Sequence, residues 1–145
     1  MIEYPLLLII HTALTLIMVG VMGFVQAVHY PLYSRIKEGF VDYEREHIRR
    51  TGVLVAPLMF FEALSAIFLC GMASSGIQFK LMAVNLIILI LIWVLTLLFQ
   101  VNQHQKLAIR FSPKIYQRLL GTNWLRLILW ITRGVILSAA LYLDR

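Results

Sequence analysis

Cysteine is almost absent. Cys70 is the only one in 145 residues, which excludes an intrachain disulfide and any CxxC-type metal or redox motif. Acid is also scarce: seven Asp and Glu stand against thirteen Lys and Arg, for a net charge of +6. Four of those acids, Glu38, Asp42, Glu44 and Glu46, crowd into one short stretch, and Glu62 stands alone in an apolar run. There is no Gly/Ser linker, low-complexity tract or internal repeat, so a single domain is expected at this length. Charged residues make up 14% of the chain and hydrophobic residues 61%, against ~45–50% apolar in a soluble domain. Because the excess comes in long runs, it points to membrane spans rather than to a large soluble core. The basic residues flank those runs, so the expected partner is the lipid bilayer and not nucleic acid.

Four spans are expected, at about 5–29, 51–72, 81–101 and 123–142. The first has no basic segment before it and no small-residue cleavage pattern after it, so it reads as a retained helix. His11, Thr15, Met18, Met22, Gln26 and His29 recur at three and four and form one stripe. Gly20 and Gly23 are expected to admit a neighbouring helix, and Pro31 to end this one. Pro57 predicts a kink in the second span. Between the third and fourth spans, SPKIYQRLLG reads as a short interfacial helix. Ser112 would be its N-cap, Pro113 its first residue and Gly121 its C-cap. The fold class expected is therefore all-α: an integral membrane antiparallel four-helix bundle with that short helix between spans 3 and 4.

Lys and Arg set the orientation. The first loop carries Arg35, Lys37, Arg45, Arg49 and Arg50. The third loop and the start of the last span carry Lys106, Arg110, Lys114, Arg118 and Arg126, while the opposite side has only Lys80 and Arg145. The positive-inside rule then puts both termini outside and loops 1 and 3 in the cytoplasm of an inner-membrane protein.

Two constellations carry chemistry. Glu62 lies about 16 Å past the start of its span and Arg133 about 15 Å past the start of its own, at ~1.5 Å per residue. Both helices enter from the same side, so the two charges reach one depth and are expected to pair. A structural clamp and a proton or substrate role are the alternatives. The second constellation is polar and lies at the cytoplasmic mouth, where all four spans contribute. His29, His47 and His104 converge there as candidate ligands for haem or for Fe, Cu or Zn, with Glu44 as a further carboxylate. Gln26, Asn123, Trp124 and Arg49 are the candidate cofactor-binding residues. Arg126 joins Glu62 and Arg133 as a candidate catalytic charge, able to hold an anionic or lipid-like molecule. Met18 and Met22, one turn apart, offer thioethers to Cu(I) or simply fill the core. His11, at the far end of the first span, reads as a packed or interfacial residue.

The segments QAVHYPLYSRI, YEREHIRR, APLMFFE, NQHQKL and TNWLRLILWITR resemble a set of small bacterial four-span membrane proteins of unassigned function. A more distant likeness, in size, span number and the N-W-x-R start of the last span, is to the anthrone-oxygenase-like membrane family. That likeness would imply an aromatic substrate and molecular oxygen, and no catalytic residue is carried over from it. Three functions are thus expected. The first is a metal- or haem-dependent membrane enzyme acting on a lipophilic substrate. The second is a small proton-coupled carrier using Glu62 and Arg133, with a homo-oligomer supplying symmetry. The third is a structural accessory subunit.

Overall fold

A computed structural model describes residues 3–74 and 76–143. Four helices account for nearly all of them: α1 (Tyr4–Tyr33), α2 (Phe40–Met72), α3 (Gly76–Leu107) and α4 (Pro113–Leu143). No strand occurs among the described residues. Each helix runs 30 to 33 residues, about 45–50 Å at ~1.5 Å per residue, so each exceeds the ~30 Å of a hydrocarbon layer. Around the bundle, α1 packs on α2 and α4, and α3 packs on the same two.

The helices bury a narrow stripe and leave large apolar residues outside. Leu6, Ile9, Ile17, Phe60, Phe61, Phe68, Ile87, Ile90 and Leu98 are all exposed. Such a surface is consistent with contact to acyl chains. The interior stacks in three layers. Leu8, Leu69, Met82, Leu137 and Ala140 close one end. Met18, Met22, Met59, Leu89, Ile92 and Trp130 fill the middle. Tyr30, Tyr33, Phe40, Leu107, Tyr116 and Leu119 close the end that carries loops 1 and 3. Met18 and Met22 are therefore packing residues of the middle layer. Lipid tails are as apolar as these side chains, so close packing and buried polar contacts must hold the helices together.

Several local expectations change. The 113–121 segment is no separate helix: α4 runs unbroken from Pro113 to Leu143, through Gly121. Tyr116 and Leu119 are buried in the end layer, and the Thr122 hydroxyl donates to the Arg118 carbonyl at 2.8 Å. These contacts hold the turn around Gly121 helical, at the modest cost of ~1 kcal/mol for an internal glycine. Pro31 does not end α1, which continues to Tyr33. A Cβ on Gly20 or Gly23 would meet nothing within 4 Å, whereas one on Gly134 would lie 3.3 Å from Leu16 Cδ2. The close approach between α1 and α4 is thus made at Gly134. Pro57 lies inside a helix that remains continuous from Phe40 to Met72. The turn into α2 is set by Gly39, whose φ of 72° is left-handed and disfavours any residue with a Cβ.

Candidate functional site

Deep in the bundle, one guanidinium organises all four helices. Arg133 on α4 donates from Nη1 to Glu62 Oε1 on α2 at 2.7 Å. Its Nε and Nη2 donate to Asn85 Oδ1 on α3 at 3.1 and 3.0 Å. Nη2 also donates to His11 Nε2 on α1 at 3.2 Å. That bond fixes the His11 tautomer, so its Nδ1–H donates to Ser65 Oγ at 2.7 Å. The Thr15 hydroxyl donates to the same Glu62 oxygen, and the guanidinium lies 4.9 Å over the Trp130 ring, where a cation is attracted to the π face. Glu62 and Arg133 are both completely buried. A charge pair this dry survives only when its remaining valences are met, and three neutral side chains meet most of them here. Sequence reasoning places Glu62 and Arg133 together and reads His11 as packed or interfacial, without joining it to the pair; it is packed, at 1% exposure. Such reasoning misses Ser65 and does not connect Asn85 or Thr15 to the pair.

Toward the loop 1 and loop 3 end, both α1 and α3 contain a π-helical turn, Val25–His29 and Thr96–Gln100. Each inserts a residue. In α3 the buried stripe therefore jumps by five, from Leu95 to Gln100, while in α1 it passes from Val25 and Gln26 to Tyr30. Such turns recur at functional sites because they re-aim the side chains that follow. Here they turn Tyr30 inward and leave His29 half-buried at the edge. The stripe expected to end on His29 passes to Tyr30 and Tyr33 instead.

The re-aimed residues assemble a relay. His104 Nδ1 lies 2.6 Å from Glu44 Oε1, and His104 Nε2 lies 2.8 Å from the Tyr30 hydroxyl. Glu44 is completely buried and accepts the Nδ1–H, so Nε2 accepts from Tyr30. The buried Tyr33 hydroxyl faces the same carboxylate from outside good hydrogen-bond geometry. Tyr116 donates to the Tyr30 carbonyl at 3.1 Å and fixes the backbone from which the phenol projects. His47 stacks on His29 with ring centroids 4.5 Å apart, and His29 Nε2 lies 2.9 Å from His47 Nδ1.

Tyr30, His47, His104 and Arg126 all border one cavity of about 290 Å³. The rest of its wall is mostly apolar: Met22, Val55, Ala56, Met59 and Trp93, with Gln100 at the polar end. Gly52, Val55 and Ala56 come from α2 and Trp93, Thr96 and Val101 from α3, while Met22, Val25 and Tyr30 from α1 and Arg126 from α4 complete the wall. Its size is at the small end of known ligand pockets. Arg126 is 4% exposed. Its Nη1 donates to Asn123 Oδ1 at 3.2 Å, and Asn123 in turn donates to Gln26 Oε1 at 2.8 Å. Arg126 Nε has no partner among the described residues, and Gln100 Oε1 has none either.

The sequence-derived candidates thus divide. His29, His47 and His104 do come together, with His47 and His104 centroids 5.3 Å apart. Yet both nitrogens of His104 are engaged by Glu44 and Tyr30. Among the described residues no group of three or more His, Cys, Asp or Glu stands in a metal-holding arrangement. Gln26 and Asn123 are buried, but they brace Arg126 rather than face the cavity. Trp124 is 54% exposed and points out of the bundle, as an indole on the lipid side of a helix would. Arg49 is also outside the site. It is exposed and its guanidinium is held by Glu46 at 2.6 and 2.9 Å, one turn away on the same helix. Arg126 borders the cavity, and so does Tyr30, which sequence reasoning puts at the same mouth but gives no chemical role. Glu62 and Arg133 belong to the separate deep cluster and do not border the cavity.

No protein-family model, curated protein or solved structure matches the chain.

Proposed function

We propose that this is a multi-pass membrane protein that admits a lipophilic molecule sideways from the bilayer and carries out acid–base chemistry on it at Tyr30. The observation that carries the reading is the position of the Tyr30 hydroxyl. It ends the Glu44–His104 relay, on a residue that borders the cavity. The order carboxylate, imidazole, hydroxyl is the arrangement in which a third group orients a base beside an otherwise weak hydroxyl. When the Tyr30 oxygen takes a proton from a bound molecule, its own proton passes to His104 Nε2. The imidazolium so formed faces the Glu44 carboxylate, and the reverse sequence returns the proton.

The distribution of Lys and Arg supports loops 1 and 3 on the cytoplasmic side, both termini outside, and successive helices running antiparallel. The relay then works at the cytoplasmic end of the bundle. The Glu62–Arg133 cluster serves as the clamp that holds the four helices together beneath it.

Photo-cross-linking tests the reading. A diazirine-bearing dodecanol, added to the protein in phosphatidylcholine nanodiscs, is expected to form adducts on Val55, Met59 and Trp93. Ala56→Phe, which fills the cavity, should suppress them. Adducts confined to outward residues such as Phe60 and Phe61, or unchanged by Ala56→Phe, would overturn it.

A further inference from the structure

Arg126 is a buried cation without a counter-ion. It takes part in no salt bridge among the described residues. Its protein partner is a neutral amide, Asn123 Oδ1, which Gln26 holds in place from the other side. Nε remains unpartnered at a residue only 4% exposed, and the side chain borders the cavity. The contrast with Arg133 decides the matter. Arg133, equally dry, is matched by Glu62 and by acceptors from two other helices. A desolvated charge costs several kcal/mol when left alone, so the buried guanidinium of Arg126, beside a cavity, suits a negative group. The guanidinium fork presents parallel N–H donors suited to two oxygens of one carboxylate or phosphate.

Resting on the reading that the cavity admits a lipophilic molecule, we infer that its ligand is an amphiphile with one anionic oxygen head. The head, a carboxylate or a phosphate, sits on Arg126 beside the Tyr30 hydroxyl. Its apolar chain runs along Val55, Met59 and Trp93 toward the lipid. Gln100 Oε1, the cavity's open acceptor, suits a hydroxyl or a water next to that head. The Tyr30 relay would then act on the part of the molecule adjoining the anion. Because the guanidinium is braced by Asn123 and Gln26 before the ligand arrives, little side-chain freedom is lost on binding.

Competition against the diazirine-bearing dodecanol measures this directly. Dodecanoate, dodecyl phosphate, dodecanol and dodecyltrimethylammonium are each titrated against cavity labelling in phosphatidylcholine nanodiscs. At least one anion should compete tenfold or more better than dodecanol, and the cation should compete worst. A preference for dodecanoate assigns a fatty-acid-like ligand, and a preference for dodecyl phosphate assigns a phospholipid-like head. Arg126→Gln should abolish the preference, bringing the anions to the level of dodecanol in the same variant, and Arg126→Lys should keep part of it. Equal competition by all four, or a preference that survives in Arg126→Gln, overturns the role of Arg126 and leaves the cavity reading standing. Failure of the dodecanol label to enter the cavity at all overturns that reading itself. Should Arg126→Gln not fold, the ranking of the four probes on the wild-type protein decides alone.

Discussion

Glu62 Oε1 stands 2.7 Å from Arg133 Nη1, and neither side chain has any exposed surface. The pair is one edge of a network in which Asn85 and His11 hold the cation and Thr15 the anion. Arg133→Met strands a buried carboxylate, and its expected cost is about 3–5 kcal/mol. Glu62→Gln should cost less, because Asn85 and His11 still accept from the guanidinium. The exchange Glu62→Arg with Arg133→Glu should recover part of the loss. It should not restore all of it, because Asn85 Oδ1 would then face a carboxylate until the amide turned over. Thermal melting of detergent-solubilised variants measures the order: wild type, then the exchange, then Arg133→Met. An exchange no more stable than either single charge change would mean that the two residues do not depend on each other.

Much of this pair was legible in the sequence, and much of the second site was not, for one physical reason. Glu62 and Arg133 lie on uninterrupted α-helix, where ~1.5 Å per residue converts position into depth. The same arithmetic extended past Phe24 and Leu95 fails, because a π turn follows each. The side chains that follow are turned by it, so Tyr30 takes the inward place and His29 is left half-buried. No residue type in VQAVH or TLLFQ marks a π turn. Asn85 was visible as a polar interruption of an apolar helix, but which neighbour it served depends on the packing of α3 against α4. Trp124 and Arg49 share the depth of Asn123 and His47 but not their face of the helix. A helix separates adjacent residues by about 100°, so nearness in sequence is no guide to a shared face.

A metal on the histidines makes a separate expectation. In the present geometry His104 spends one ring nitrogen on Glu44 and the other on Tyr30, and His29 and His47 spend one each on the other. A ligand set built from these rings would have to break His104 away from Glu44 or from Tyr30. The purified protein is therefore expected to show no Soret band and no stoichiometric Fe, Cu or Zn, and EDTA should leave its melting midpoint unmoved. A stoichiometric metal that disappears in both His29→Ala and His104→Ala would show that the rings rearrange around an ion and would displace the acid–base reading.

The Glu44–His104 contact gives the most direct test of the relay. Glu44 is fully buried and the His104 side chain is 14% exposed, so solvent screening is weak at the carboxylate. Glu44→Gln keeps an oxygen that can accept the Nδ1–H and should cost about 1 kcal/mol, the size of one ordinary hydrogen bond. His104→Leu leaves the carboxylate dry and unmatched and should cost about 3–5 kcal/mol. With both changes together nothing charged remains at the contact, so the double variant should be more stable than the two losses summed, by about 1–3 kcal/mol of coupling. Tyr30→Phe should lose roughly 1 kcal/mol, and that loss should disappear in the His104→Leu background, where the phenol has no imidazole to bond. Equilibrium unfolding of the single and double variants measures each leg. Losses that simply add, within about 0.5 kcal/mol, would show that Glu44, His104 and Tyr30 stand side by side without acting as one unit.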